Sequence, residues 1–423
     1  MNLYDAGYLA AAPFFLSVAY YKRWKHGKYR RSLPGMFGAN LPKHPLAPLQ
    51  HRVWMHSVSF GETIGAAAVY KSLKARHPDW EYLSTTTTET GQDQARKSLA
   101  SANYHDFAPV DLSWKVRNFL TAYNPSVYLF FETEIWPNTL AECGRRGIKT
   151  FLVNGDLSEK SARNYAKLKG IFQPPLSNVT AFVMQTEEDA DRLRRIIGAK
   201  PNIFVTGNVK FDNLPAQLSP EEKANLRASW GVAPEAFVII AGSTHDTEER
   251  LIYQAFQELK KTVPAARLVI APRHPERFDA VLEELKSLGA NVDHLYHPEL
   301  KSSNADVLIL NSMGVLAKSF GAADVALVGG SWKPIGGHNL LEPAAHGVPV
   351  VHGPHMHEQK EIMQIMARGK ASVTATELKL AAVLSRVHGD AALRAELGER
   401  ALKAATSNRG AAQRSVEIIE RFL

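Results

Sequence analysis

From Val53 onward the chain alternates short apolar or β-branched runs with amphipathic stretches of helical period, which restricts it to βαβ units around mostly parallel sheets. Parallel strands cannot be joined by a tight turn, and the helical stretches supply the long crossovers they need. VWMHSV (53–58) reads as a strand and residues 62–75 as the helix after it. EYLSTTT (81–87), SVYLFFE (126–132), KTFLVN (149–154) and AFVMQ (181–185) continue the series. A second series runs through AFVIIAGS (236–243), RLVIAPR (267–273), DVLIL (306–310), VALVGGS (325–331) and VPVVHGP (348–354).

Two series imply two sheets, and 423 residues at about 150 per domain allow them. Between them lies GNVKFDNLPAQLSPEEK (207–223), where Pro215 and Pro220 break regular structure. The expected division is a 1–31 segment, a Rossmann-like domain over 32–210 and a second over 211–423, the last helix being a candidate to pack back on the first domain. Two such domains facing each other bind ligands at the carboxyl ends of their strands, so the reacting groups are expected in the cleft between them. A hydrophobic content of 45% and a charged content of 22% suit two packed cores and exclude extended disorder. Cys143 is the single cysteine, which rules out an intramolecular disulfide and any cysteine-built metal cage.

The net charge of +8 is unevenly spread: residues 1–60 hold eight Lys or Arg and one acid, Asp5. The uncharged run AGYLAAAPFFLSVAYY (6–21) precedes Lys22, Arg23, Lys25, Lys28, Arg30 and Arg31. It is shorter than the roughly 20 apolar residues a spanning helix needs, and Pro13 interrupts it. A membrane-surface anchor, with the cations among anionic headgroups on the cytoplasmic side, is one reading. An apolar first helix packed on its own domain is the other. A cleaved signal peptide fits poorly, because the charges follow the apolar run and no small-residue cleavage site ends it.

Several strand ends carry polar chemistry. In SVSFGE (57–62) Glu62 opens a helix, either as a partner of the helix dipole, which would favour its charged form, or as a general base. In FETEIWPN (131–138) Glu132 ends an apolar strand and needs either a neighbouring cation or a purpose. Lys210 lies at the crossing between domains, solvated or touching a ligand. In the second series GSTH (242–245), PRHPERF (272–278), NSMG (311–314) and GGSWKPIGGHNLLEP (329–343) each follow a strand and therefore line one edge. There Arg273 can grip a phosphate with two donors, residues 339–342 are expected to open a helix whose free N–H groups hold a phosphate, and Glu342 is placed to accept the hydroxyls of a ribose. The competing reading is glycine turns and a satisfied arginine.

Other classes lack their signatures. No P-loop and no well-placed G-x-G-x-x-G occurs, and the sixteen histidines include no H-E-x-x-H pair. Asp189 and Asp191 sit in the charged run TEEDADRLRR, expected to be a solvated helix face and not a metal site. His56, His245, His274 and His338 remain polar loop residues or phosphate donors.

Taken in order, HSVSFGE, TTTxTG (86–91), FETEIWPN, GNVKFD, GSTH, PRHPERF and GGHNLLEP closely resemble the Kdo (3-deoxy-D-manno-octulosonic acid) transferases of Gram-negative bacteria, along nearly the whole chain. The apolar and basic N-terminus is similar to that family's membrane anchor. The resemblance implies a GT-B fold, CMP-Kdo as donor, lipid IVA as acceptor, no cofactor, no nucleic-acid partner and an inner-membrane location. By matching motifs it implies Glu62 as general base, Glu132 and Lys210 as transition-state stabilisers, and Pro272, Arg273, Met313, Gly314, Val315, Asn339, Leu340, Leu341 and Glu342 as donor contacts. Departures from the family's usual pattern are Val315 where many members carry an acid, GMFG (35–38) for an arginine and glycine motif, and Gly155-Asp156 for a common Ala-Arg pair. A GT-B transferase with another nucleotide sugar, or a non-catalytic lipid-A-binding protein on the same scaffold, are the rival readings.

Overall fold

The computed structural model describes residues 2–26, 29–198, 202–296 and 304–423, so that Lys28 of the basic cluster lies outside the described residues. The chain divides into two compact units, Met1–Asn213 with Asn408–Leu423, and Leu214–Ser407.

The first unit holds strands β1 (Arg52–His56), β2 (Glu81–Thr86), β3 (Tyr104–Phe107), β4 (Val127–Phe131), β5 (Lys149–Gly155), β6 (Ala181–Met184) and β7 (Ile203–Val205), all parallel, in the order β3-β2-β1-β4-β5-β6-β7. The second holds β8 (Val238–Thr244), β9 (Arg267–Pro272), β10 (Val292–His294), β11 (Val307–Ile309), β12 (Val325–Val328), β13 (Val350–His352) and β14 (Ser372–Thr374), also parallel, in the order β10-β11-β9-β8-β12-β13-β14. Alternation along each strand feeds two cores. Val53 and Met55 join one apolar cluster while Trp54 joins the other, and Ile239 and Ala241 separate in the same way from Val238 and Ile240. Burial on both faces is why these strands read as continuous apolar runs.

The helix Ala411–Glu420 belongs to the first unit. Val416 and Ile419 pack in the cluster of Val53 and Leu129, Asp212 accepts from the Gly410 and Ala412 amides at the helix start, and Glu420 pairs with Arg76. Burying two such side chains stabilises by about 2 kcal/mol each, whereas a surface pair contributes up to about 1 kcal/mol, so packing holds this helix.

Helix α1 (Leu3–His26) docks through its first turn. Asp5 is fully buried and accepts from the Ser113 amide (2.9 Å), the Ser113 hydroxyl (2.8 Å) and Asn138 Nδ2 (2.9 Å). Burial pushes its carboxyl upward, and these bonds outweigh that and hold it below the ordinary range. Further along, Leu16, Val18, Tyr20, Tyr21 and Trp24 are exposed, Trp24 at 84%. No helix of the described residues is long and apolar enough to cross a membrane.

Candidate active site

Each sheet reverses its winding once, between β1 and β4 in the first unit and between β8 and β12 in the second, and the loops leaving those strands part to form a crevice. In the first unit the loop after β1 leads into α2 (Phe60–Arg76), with Ser59 as N-cap. The Glu62 carboxylate folds back on this loop: Val58 N donates to Oε2 (2.8 Å) and Ser59 Oγ donates to Oε1 (2.9 Å). Burial raises its pKa to about 7, those two bonds pull the other way, and the carboxylates of Glu132 and Glu134 add to the rise. Desolvation thus raises Glu62 even though it opens a helix, where the charged form was expected to be favoured. The threonine run braces the loop: Val58 O accepts from Thr87 N (3.3 Å), Thr88 N (3.2 Å) and Thr88 Oγ1 (3.2 Å). A Cβ on Gly91 would stand 3.3 Å from both Val58 O and the Ser59 carbonyl carbon, which explains the glycine.

Glu132, one residue past β4, has φ of +57°, a left-handed conformation that costs a side-chain-bearing residue about 1–3 kcal/mol and gathers at functional sites. Its Oε1 lies 2.8 Å from Lys210 Nζ, so the lysine is ion-paired. Lys210 rides on a 3-10 turn, Val209–Asn213, set by buried carboxamides. Asn154 Oδ1 accepts from Val209 N (3.0 Å), Asn208 Oδ1 accepts from Lys210 N (2.9 Å), and Asn208 Nδ2 donates to Gln185 Oε1 (2.9 Å). Sequence reasoning missed Asn154, Gln185 and Asn208; the available signal was an uncharged polar residue closing an apolar strand. Next to them a Cβ on Gly155 would fall 2.5 Å from Met184 Sδ, so an alanine there would require the end of the Met184 side chain to move.

His56, buried at the end of β1, is pushed down to a pKa of about 4 by desolvation. Its Nδ1 meets Thr85 Oγ1 at 3.1 Å and its ring stands edge-on to Trp136, whose Nε1 donates to Glu134 Oε2 (2.9 Å). It is a neutral prop for the FETEIWPN loop. Asp189 is buried and accepts from Leu157 N (3.2 Å) and Arg192 Nη1 (2.9 Å), which corrects its reading as a solvated face, while Asp191 is exposed. Among the described residues no group of three or more His, Cys, Asp or Glu stands together to hold a metal ion.

In the second unit Pro272, Arg273, Met313 and Gly314 line one pocket with Ser243 and Ser312. Met313 is 58% exposed, Gly314 adopts φ of +82°, and Val315 packs partly buried against the core below. Arg273 is exposed and makes no ion pair among the described residues, whereas Arg277 of the same motif is spent on the buried Glu249 (2.8 Å). The expected phosphate-holding helix is corrected. Leu341–Ala344 is a single turn, Asn339 Oδ1 takes the Leu341 amide (3.0 Å), and the Leu340 and Leu341 side chains are core. Glu342 is raised by burial against the pull of Asn339 and Arg273. The glycine loop after β12 is gathered instead by Glu248, fully buried and not anticipated from sequence, which accepts from the amides of Gly330 (2.7 Å), Ser331 (3.0 Å), Trp332 (2.9 Å) and His245 (3.0 Å).

Two doubly wound units, each with polar loops at its switch point, define the GT-B fold. The family model described as "3-Deoxy-D-manno-octulosonic-acid transferase (kdotransferase)" matches residues 27–213. The chain is 29% identical to the 3-deoxy-D-manno-octulosonic acid transferase of Haemophilus influenzae over 99% of this chain and 98% of that one. With the enzyme of Bordetella pertussis the identity is 30% over 94% and 93%, and with that of Chlamydophila psittaci 31% over 86% and 82%. The crystal structure of UDP-GlcNAc 2-epimerase from Neisseria meningitidis shares the fold, with a TM-score of 0.60 at 14% identity over 88% of this chain and 100% of that one. The chain belongs to the 3-deoxy-D-manno-octulosonic acid (Kdo) transferase family.

Proposed function

We propose that the protein transfers Kdo from CMP-Kdo to lipid IVA, releasing CMP, as a step of lipopolysaccharide biosynthesis on the cytoplasmic side of the inner membrane. The observation that carries this reading is Glu62, a carboxyl raised to about 7 at a switch point beside a strained Glu132 paired with Lys210. A base poised near neutrality can take a proton from a sugar hydroxyl as the new bond forms. The acceptor oxygen attacks the anomeric carbon of Kdo, its proton passes to Glu62, and the bond from that carbon to the CMP phosphate breaks. A single displacement inverts the anomeric configuration.

Glu132 holds Lys210 aligned, and both are assigned to stabilising the transition state. Pro272, Arg273, Met313, Gly314, Val315 and Asn339–Glu342 are assigned to the donor, with Arg273 on the phosphate and Glu342 on the ribose. A leaving nucleoside monophosphate carries less charge than a diphosphate, so these side chains suffice without a metal ion. The exposed apolar side chains of α1, followed by Lys22 and Lys25, suit a lipid surface with anionic headgroups.

The test is a donor comparison with the full chain and lipid IVA, offering CMP-Kdo or UDP-N-acetylglucosamine with and without chelator, and reading anomeric configuration by NMR. Inverted Kdo product from CMP-Kdo alone, unchanged by chelator, is expected. Transfer from the UDP sugar, retained configuration or loss with chelator would each overturn the corresponding part.

A further inference from the structure

The segment 206–213, which carries Lys210, is gripped at both ends by the C-terminal helix Ala411–Glu420, to which the proposed chemistry gives no part. At one end Thr206 O accepts from Arg414 Nε (3.0 Å) and Nη2 (2.6 Å), and Thr206 Oγ1 meets Ser415 Oγ at 3.1 Å. At the other end the Asp212 carboxylate accepts from the backbone amides of Gly410 and Ala412. In between, Gly207 has φ of +92° and runs along the start of the helix, where a Cβ would stand 3.4 Å from Arg414 Nη2 and 3.7 Å from Ala411 Cβ. Lys210 therefore stands between two fastenings on one helix.

The dependence runs both ways. A helix start leaves free amides that a Ser, Thr, Asp or Asn at the N-cap ordinarily satisfies. Here the N-cap is Gly410, with φ of +85° and no side chain to offer. Asp212, 198 residues away in sequence, supplies the missing carboxylate, at the end of the helix whose dipole favours a negative charge. Without Asp212 the helix loses its cap, and without the helix the turn of Lys210 loses its anchor.

The same segment is tied to α2, the helix of Glu62. Asn213 Nδ2 donates to Ile64 O (2.7 Å), two residues past Glu62. A Cβ on Gly65 would stand 3.2 Å from Val209 Cγ2 and 3.9 Å from Lys210 Cγ, so the turn lies directly on α2. Val209 packs in the apolar cluster that holds Ala66 of α2 and Ala411, Ala412 and Val416 of the C-terminal helix. The Lys210 side chain itself is 45% exposed, so packing does not fix its ammonium. A flexible four-carbon stem is aimed by its partner, Glu132, and by the backbone that carries it.

We infer that Asp212 and Arg414 are positioning residues for Lys210, fastening its turn to the C-terminal helix so that the ammonium keeps a fixed place relative to Glu62, a role that rests on the assignment of Lys210 to the transition state. Neither residue touches substrate; both act through the lysine. A charge misplaced by about 1 Å from where charge develops costs up to about a hundredfold in rate. Substrate binding, made by other side chains, is left as it was. The signature is a fall in kcat with KM unchanged, the mark of an interaction made only in the transition state.

The experiment measures kcat and KM for CMP-Kdo and lipid IVA with the full chain, for Asp212→Ala, Arg414→Lys, Lys210→Ala and each of the first two combined with the third. Asp212→Ala is expected to lower kcat about 10- to 100-fold with KM changed by about twofold or less. Arg414→Lys keeps the charge but cannot set two donors on Thr206 O, and should act in the same direction; it carries the same test should Asp212→Ala fail to fold. Neither substitution should cost anything further once Lys210 is gone, since nothing is left to position. Glu420→Gln, which breaks the pair with Arg76 near the far end of the same helix, should keep the wild-type kcat. Wild-type kcat in Asp212→Ala and Arg414→Lys, losses that multiply with that of Lys210→Ala, or an equal loss in Glu420→Gln would overturn the positioning role while leaving Lys210 in place. Wild-type kcat in Lys210→Ala would overturn the role of Lys210 itself.

Discussion

At the scale of single residues the proposed chemistry turns on Glu62. Its raised pKa makes a signed prediction: the base is active when deprotonated, so the transfer rate should climb with pH and level off above about 7. A profile that is flat, or that falls through this range, contradicts the assignment. The same shift bears on stability. A carboxyl raised from 4.5 in the unfolded chain to about 7 in the folded one holds its proton more tightly when folded, so its charge costs stability progressively between those values and fully above them. Glu62→Gln should therefore raise the melting temperature at alkaline pH while lowering the rate by a factor of about 10² to 10⁴. A residue serving only as a helix cap would lose stability and keep its rate. Sequence could place Glu62 at the opening of a helix and Glu132 at the end of an apolar strand. It could not show the pairing of Glu132 with Lys210, since 78 residues of chain separate partners that only the sheet order brings together.

At the scale of elements, the interior strands of both sheets were legible and the edge strands were not. β3, β7, β10 and β14 are the four edges. They pair on one side only, and YHDF, IFV, VDH and SVT carry no long apolar run to read. The helix expected at Asn339 failed for a different reason: it spans one turn only, Leu341–Ala344, before Gly347 turns the chain away with φ of +71°, and the loop's order comes from Glu248, distant in sequence. Glu248→Ala removes the acceptor of four backbone amides, each costing about 1–3 kcal/mol when left unsatisfied in the interior. The variant should melt well below wild type and lose CMP affinity, as read by thermal unfolding and titration calorimetry. A wild-type melting point and CMP affinity would show that the loop stands without it.

At the scale of the whole molecule, the two sheets and the family were legible because the motifs recur in order along the chain, and a docked α1 was one of two readings, but the residues that dock it were hidden. Asp5 looked like a lone acid in an apolar stretch, yet it ties the first turn to Ser113 and Asn138. Deleting the helix would strand those donors, so the membrane proposal is better tested by substitution. Lys22→Gln with Lys25→Gln should weaken binding to anionic vesicles by about 2 kcal/mol, roughly thirtyfold, and leave neutral vesicles unaffected; equal binding to both vesicle types by wild type would contradict a surface anchor. The most direct measurement incubates the full chain and Glu62→Ala with CMP-Kdo and lipid IVA and follows the acceptor by mass spectrometry. Kdo-bearing lipid is expected from the wild type and none from a folded Glu62→Ala. Acceptor unchanged by the wild type, or modified equally by both, would contradict the proposed reaction.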